Sequence, residues 1–181
     1  MSKAVMLSIR PKWCEKIISG EKTVEVRKNR PKLETPFKCY IYETQGWVEK
    51  DGIMAFRLGG RVIGEFTCDR IYELETRSPV GSYYVKGEGQ PTTNDVARQS
   101  CLSLRDMHVY LQSKVGYGWH ISDLKIYDTP KKLIEFHTWK KCKSCSKSGY
   151  ESTACIYDEN CMVPVAITKA PQSWCYVEED A

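Results

Sequence analysis

The chain is 181 residues long with a formal net charge of +4, the size of one ordinary domain with a single buried core and too mildly basic to announce a nucleic-acid partner by charge alone. No apolar run is long enough to span a membrane, and the short run at residues 4–9 is broken too soon by Arg10 and Pro11 to be a signal-peptide core. Nine cysteines, an odd number, fit reduced thiols plus a metal site better than a secreted disulfide framework, so a cytoplasmic location is expected.

In chain order, residues 4–9 read as a strand, and Pro11 suits the first turn of a helix, where its missing N–H costs nothing. Trp13 with Ile17 and Cys14 with Ile18 are spaced i to i+4, giving that helix one apolar stripe with Lys12, Glu15 and Lys16 lying away from it. Trp13 is accordingly read as core. Gly20 takes the left-handed conformation that ends a helix. Residues 22–28 then form a strand that sends Val24 and Val26 to the core and sets Thr23, Glu25 and Arg27 in a row on the other face. Residues 31–36 are a proline-bracketed loop, 38–43 a strand, and 47–52 a loop. The longest strand signal is 61–72, with Gly64 marking a bend or bulge. Residues 78–89 break the pattern with glycines. Ser103 and Asp106 resemble a capping box, and Leu104, Met107, Tyr110 and Leu111 recur at helical spacing, so a helix is expected over 103–114. Strands are expected near Trp119, Lys125 and Leu133. His120 is read as a core or edge histidine, and His108 as flanking its helix's apolar stripe.

The run Gly20-Glu21-Lys22-Thr23-Val24-Glu25-Val26-Arg27 resembles the G-x-K-x-x-E-x-R signature of the ASCH domain, a PUA-like β-barrel. Leu7-Ser8-Ile9-Arg10-Pro11 and the helix after it fit the same pattern. Arg61-Val62-Ile63-Gly64-Glu65-Phe66 is similar to the family's central strand, and residues 117–121 and 124–127 to its late strands. The resemblance spans residues 1–138 plus a final strand near 174–177. The expected fold is therefore α+β: one domain over 1–181, a PUA-like mixed β-barrel with flanking helices and a small cysteine-rich insertion at about 139–163.

The distribution of charge says more than its total. Residues 1–38 carry ten Lys or Arg against four acids, and residues 131–147 six Lys against Glu135. If the two segments meet on one face they attract phosphate with salt-dependent affinity; if not, they are solvated lysines on scattered surfaces. In PUA-like folds the barrel and its flanking helix form a groove for RNA or a modified nucleotide, and the resemblance implies the same here. Lys22 and Arg27 are then expected to contact phosphate or a base edge, with Glu25 holding Arg27 or accepting from a base amino group, and Arg10 and Lys12 widening the positive patch. The alternative for Glu25 and Arg27 is a surface ion pair of small worth. Trp47, Tyr83, Tyr84 and Trp119 are the candidates for stacking a base.

Cys142 and Cys145 make a C-x2-C pair, and Cys155 with Cys161 supplies a second, so the four thiolates are expected to hold one structural zinc ion. Free thiols, a redox pair, or Cys175 or His137 as a substitute ligand are the other readings.

Two rival functions remain. Some small relatives in the superfamily are amidohydrolases acting on acylated cytidine and others are reported as ribonucleases. The amidohydrolase pattern pairs the signature lysine with a threonine three residues on and a distant glutamate. Here Glu25 takes the threonine position, and Arg98, Gln99 and Ser100 stand where the glutamate is sought. A regulatory module docking a protein through the insertion is the third reading.

Overall fold

The computed structural model describes residues 3–50, 52–76, 82–141 and 162–179. β1 (Lys3–Ile9) leads into α1 (Pro11–Ile18), and β2 (Val24–Arg27) follows the turn at Gly20, whose φ is +77°. Next come β3 (Phe37–Glu43), the hairpin of β4 (Gly46–Lys50) and β5 (Ile53–Arg57), β6 (Arg61–Cys68), β7 (Ile71–Thr76) and β8 (Tyr83–Val85). Two helices, α2 (Thr93–Ser100) and α3 (Leu104–Leu111), precede β9 (Gly116–His120) and the long β10 (Ser122–Lys132). β11 (His137–Lys141), β12 (Met162–Ala166) and β13 (Trp174–Glu178) follow. Among the described residues no helix is long and apolar enough to cross a membrane.

The single barrel expected from sequence is corrected. The described strands sort into a five-stranded sheet, β10-β6-β3-β1-β13, and a four-stranded sheet, β2-β9-β7-β8, with β4–β5 and β11–β12 as separate two-stranded units. The chain changes sheet between β9 and β10, at Ile121, so the two layers share a core without closing on one another through every edge. β1 lies parallel to β3 and antiparallel to β13, and it is buried on both faces. Val5, Leu7 and Ile9 enter the core shared with α1 and Trp119, while Ala4 and Met6 enter a second cluster with Tyr40, Phe136 and Val177. Burial on both faces is why residues 4–9 read as a continuous apolar run.

A third cluster binds the four-stranded sheet to α2 and α3: Val24, Val26, Tyr72 and Leu74 pack against Val96, Ala97, Met107 and Leu111. The alternation expected of β2 holds, and each fully buried valine contributes roughly 1.5–3 kcal/mol. Both helices open with a capping box, Thr92 with Asp95 and Ser103 with Asp106. Gly64 sits where β6 slips register against β3, and a side chain there would meet the Lys125 carbonyl oxygen at 2.5 Å.

Two other expectations need correction. Residues 47–50, within the stretch read as a loop, belong to β4 of a β-hairpin, and Leu133 begins a short 3-10 turn, with the strand delayed to His137. α2 was not expected at all. Lys141 pairs with Met162 at the end of the antiparallel β11–β12 ribbon, and the insertion expected at about 139–163 falls mostly outside the described residues. Cys142, Cys145, Cys155 and Cys161 lie outside the described residues. Among the described residues no group of His, Cys, Asp and Glu is placed to hold a metal ion.

Candidate functional site

A cleft of about 530 Å³ opens where the N-terminus of α1, strand β2, α3 and the segment before β13 converge. All five residues singled out by sequence line it: Arg10, Lys12, Lys22, Glu25 and Arg27. Their environments divide them into a floor and a rim.

The floor is buried. Lys22, Glu25 and Arg27 are 3%, 7% and 6% exposed, which rules out the reading of Glu25 and Arg27 as a surface pair. Lys22 donates from Nζ to the carbonyl oxygens of Val24 at 2.9 Å and Ser100 at 2.8 Å, and its ammonium lies 3.1 Å from Glu25 Oε2. Three acceptors thus meet the three donors of an ammonium. Glu25 Oε1 lies 3.0 Å from Arg27 Nε, although that N–H is not aligned to donate to it and has no hydrogen-bond partner. Arg27 spends its terminal nitrogens elsewhere, donating to the Ser8 carbonyl oxygen at 2.8 Å and more weakly to the Ser173 hydroxyl at 3.3 Å. Burial pushes the Glu25 carboxyl up, but Lys22 and Arg27 outweigh it and hold the group below the usual carboxylate range.

These positions follow from local chain geometry. The turn after Gly20 is closed by the Lys22 N–H donating to the Lys16 carbonyl oxygen at 2.8 Å, which carries Lys22 out of α1 and under the cleft. Thr23 donates from its backbone N–H to Gln99 O at 2.9 Å, docking the C-terminus of α2 so that the Ser100 carbonyl faces Lys22. Since Val24 and Val26 face α2 and α3, the strand pleat sends Glu25 and Arg27 the other way, into the cleft.

The rim is exposed. Arg10 is the N-cap of α1 and Lys12 lies in its first turn, both solvent-facing. Among the described residues neither has a carboxylate within ion-pair distance. The Lys12 ammonium sits 4.2 Å from the centroid of the Trp13 ring, which also lies 5.2 Å from Lys22 Nζ. Trp13 is half-buried and lines the cleft, so its assignment to the core alone is corrected. Tyr110, on α3, also lines the cleft, with the Lys28 ammonium 5.3 Å from its ring centroid.

None of the four aromatic residues expected to stack a base lines this cleft. Trp119 is fully buried and packs edge-on against Phe37; Tyr83 is in the α2–α3 cluster; Tyr84 donates to Glu75 at 2.6 Å; Trp47 is on the hairpin, 61% exposed. Nor do Lys131, Lys132, Lys140 or Lys141 line it, so the described part of the second basic segment does not add to this cleft. His120 lies outside the cleft, its Nδ1 2.6 Å from Asp69 Oδ1, and this contact helps hold the Asp69 carboxyl below its ordinary range against the opposing effect of burial. Sequence reasoning missed Tyr110, Gln172 and Ser173 as lining residues. The helical spacing that named Tyr110 carried no sign of which way it faces, and nothing local marks residues 172 and 173.

A mostly β, two-sheet domain with a buried cation–carboxylate–cation floor under an exposed basic rim is thus defined by fold and site together. The family model described as ASCH domain matches residues 7–87, the segment that holds Lys22, Glu25 and Arg27, and the resemblance drawn from the signature stands on that match. Among solved structures the chain is similar to ASCH from Zymomonas mobilis at 20% identity, with 72% of this chain and 73% of that chain covered and a TM-score of 0.49. A tyrosine-to-phenylalanine variant of that protein gives 20% identity, 72% and 76% coverage and 0.49, and a serine-to-alanine variant 21%, 72% and 74%, and 0.49. Comparison with curated proteins found no match.

Proposed function

We propose that the cleft binds a nucleotide, free or as part of an RNA strand. The observation that carries this reading is the pairing of a buried, internally paired charged floor with two exposed cations that, among the described residues, have no carboxylate within ion-pair distance. Arg10 and Lys12 meet the phosphate, Trp13 and Tyr110 offer ring faces to the base, and the Glu25 carboxylate accepts from a base amino group. Lys22 and Arg27 act chiefly by fixing Glu25 and the backbone around it, because the Lys22 ammonium already faces three acceptors and the terminal nitrogens of Arg27 are turned to Ser8 and Ser173. A volume of about 530 Å³ lies within the range of small-ligand sites.

The hydrolase reading gains no such support. A lysine serving as general base must present a lone pair, and Lys22 is ringed by acceptors that require its protons. The test is titration of mononucleotides and short single-stranded RNA into wild type and an Arg10→Ala, Lys12→Ala variant at low and physiological salt. Wild type is expected to bind both, and the variant to bind about tenfold more weakly with a shallower dependence on salt. No binding by wild type to either ligand overturns the reading.

Cys142, Cys145, Cys155 and Cys161 are proposed to hold one zinc ion as a thiolate set. Protein purified without added zinc should carry about one equivalent per chain; metal content well below that removes the proposal.

A further inference from the structure

The β4–β5 hairpin stands beside the cleft and is dressed in apolar side chains that the protein does not cover. Trp47, Ile53, Met54, Phe56 and Leu58 are each at least half exposed. An isolated two-stranded hairpin is marginal in water, and this one is fixed from beneath. Val48 is buried, and Arg57 reaches Glu15 at 3.2 Å and Glu43 at 3.1 Å, tying β5 to α1 and β3. Gly46 lets the strand pass Pro11, whose ring would lie 3.2 Å from an added side chain. The register pairs Trp47 with Phe56 and Glu49 with Met54, so these four share the face opposite Val48. The Trp47 and Phe56 rings meet edge to face at 5.3 Å.

A shallow hollow runs between this face and α1, lined by Trp47, Glu49 and Met54 on one side and by Lys12 and Lys16 with the carboxylates Glu15 and Glu21 on the other. Lys12 also lines the cleft, so the two depressions adjoin at an exposed cation whose ammonium lies over the Trp13 ring. The hollow is poorly suited to phosphate. Lys16 is held by Glu21 at 2.6 Å, and Glu49 has no cation partner among the described residues. A flat ring face beside an acceptor carboxylate suits a base, and the cation between the hollows suits the phosphate that joins two nucleotides.

From this juxtaposition we infer that the hairpin is a second base subsite. A single-stranded nucleic acid places one nucleotide in the cleft, its linking phosphate on Lys12, and the neighbouring base on Trp47. The inference rests on the reading of the cleft as a nucleotide site and adds that the partner is a strand of two or more nucleotides.

The experiment compares a mononucleotide with a single-stranded tetranucleotide on wild type, Trp47→Ala, Trp47→Phe and Phe56→Ala. Wild type should bind the tetranucleotide more tightly than the mononucleotide. Trp47→Ala should lose about tenfold for the tetranucleotide alone, Trp47→Phe should recover most of it, and Phe56→Ala should lose less. Equal tetranucleotide affinity in wild type and Trp47→Ala, with mononucleotide binding intact, overturns the subsite and spares the cleft. No binding of either ligand by wild type overturns both. Light scattering supplies the remaining outcome: a dimer broken by Trp47→Ala, with tetranucleotide affinity unchanged, assigns the face to contact between copies of the chain and overturns the subsite.

Discussion

The floor and the rim of the cleft are made from the same kinds of residue and do opposite things. Lys22 and Arg27 look in sequence like two more members of a basic segment, equal to Arg10 and Lys12. In the structure the first two are buried around Glu25 and the backbone carbonyls of Val24, Ser100, Ser8 and Ser173, and the second two face solvent with no carboxylate within ion-pair distance among the described residues. The charge of a side chain therefore says little about whether it is available to a ligand. Burial and prior partners decide that. A cation whose acceptors are built in is a structural member, whereas one left unpaired at a helix N-terminus is a free contact.

The largest test of that contrast removes the carboxylate. Glu25→Gln leaves two buried cations facing one another, and about 3–5 kcal/mol of stability should disappear, read by urea denaturation. A loss below about 1 kcal/mol would mean the floor is more solvated than its burial implies and would collapse the distinction. Acid provides a second test. The Glu25 carboxyl is held below its unfolded value, so its contribution is full above the unfolded carboxylate pKa of about 4.3 and fades as pH falls through the folded value. Melting temperatures taken from pH 7 down to pH 3 should fall more steeply in wild type than in Glu25→Gln; parallel curves would assign the acid limb to other carboxylates.

A smaller effect probes what supports the floor. Thr92 caps α2, whose C-terminus presents the Ser100 carbonyl to Lys22. Thr92→Ala should cost about 1 kcal/mol, with hydrogen exchange at the Thr23 amide accelerated because it donates to Gln99. Unchanged exchange there would show that α2 holds its end without its cap. The smallest effect belongs to the rim. Arg10→Ala with Lys12→Ala should change stability by less than about 0.5 kcal/mol while weakening ligand. A larger destabilisation would make the rim structural and erase the comparison from the other side.

How much of this was legible in sequence depended on whether the signal was local. Helix α1, its stop at Gly20, the pleat of β2, the bulge beside Gly64 and the Ser103 cap are short-range features, and each was readable from spacing and residue type. The α2 helix carried the same kind of signal, Thr92 with Asp95, but its polar sequence has too few apolar residues to show a stripe. The hairpin failed for the opposite reason. Its apolar residues stay exposed, so the usual alternation between buried and solvent-facing positions is missing, and residues 47–52 read as a loop. Five of the six charged residues that line the cleft were nameable, Asp106 being legible only as a helix cap, and the sorting of the five into floor and rim was not. That sorting depends on Ser100 and Ser173 arriving from distant parts of the chain. Trp13 illustrates the limit most simply: helical spacing gave it an apolar neighbour in Ile17, and only the packing around it left it half-buried at the wall of the cleft.

The reach of Arg27 has a consequence for the order in which the protein assembles. Its guanidinium bridges residue 8 and residue 173, the latter 146 positions away, so its floor contacts are complete only when the segment preceding β13 has docked. Contacts of such sequence separation form late, after local elements have reduced the search. The nascent chain therefore has its helices and most of its strands before it has a finished cleft. Binding of the proposed nucleotide would then report a late event in folding, and partly assembled chains on the ribosome would be blind to it.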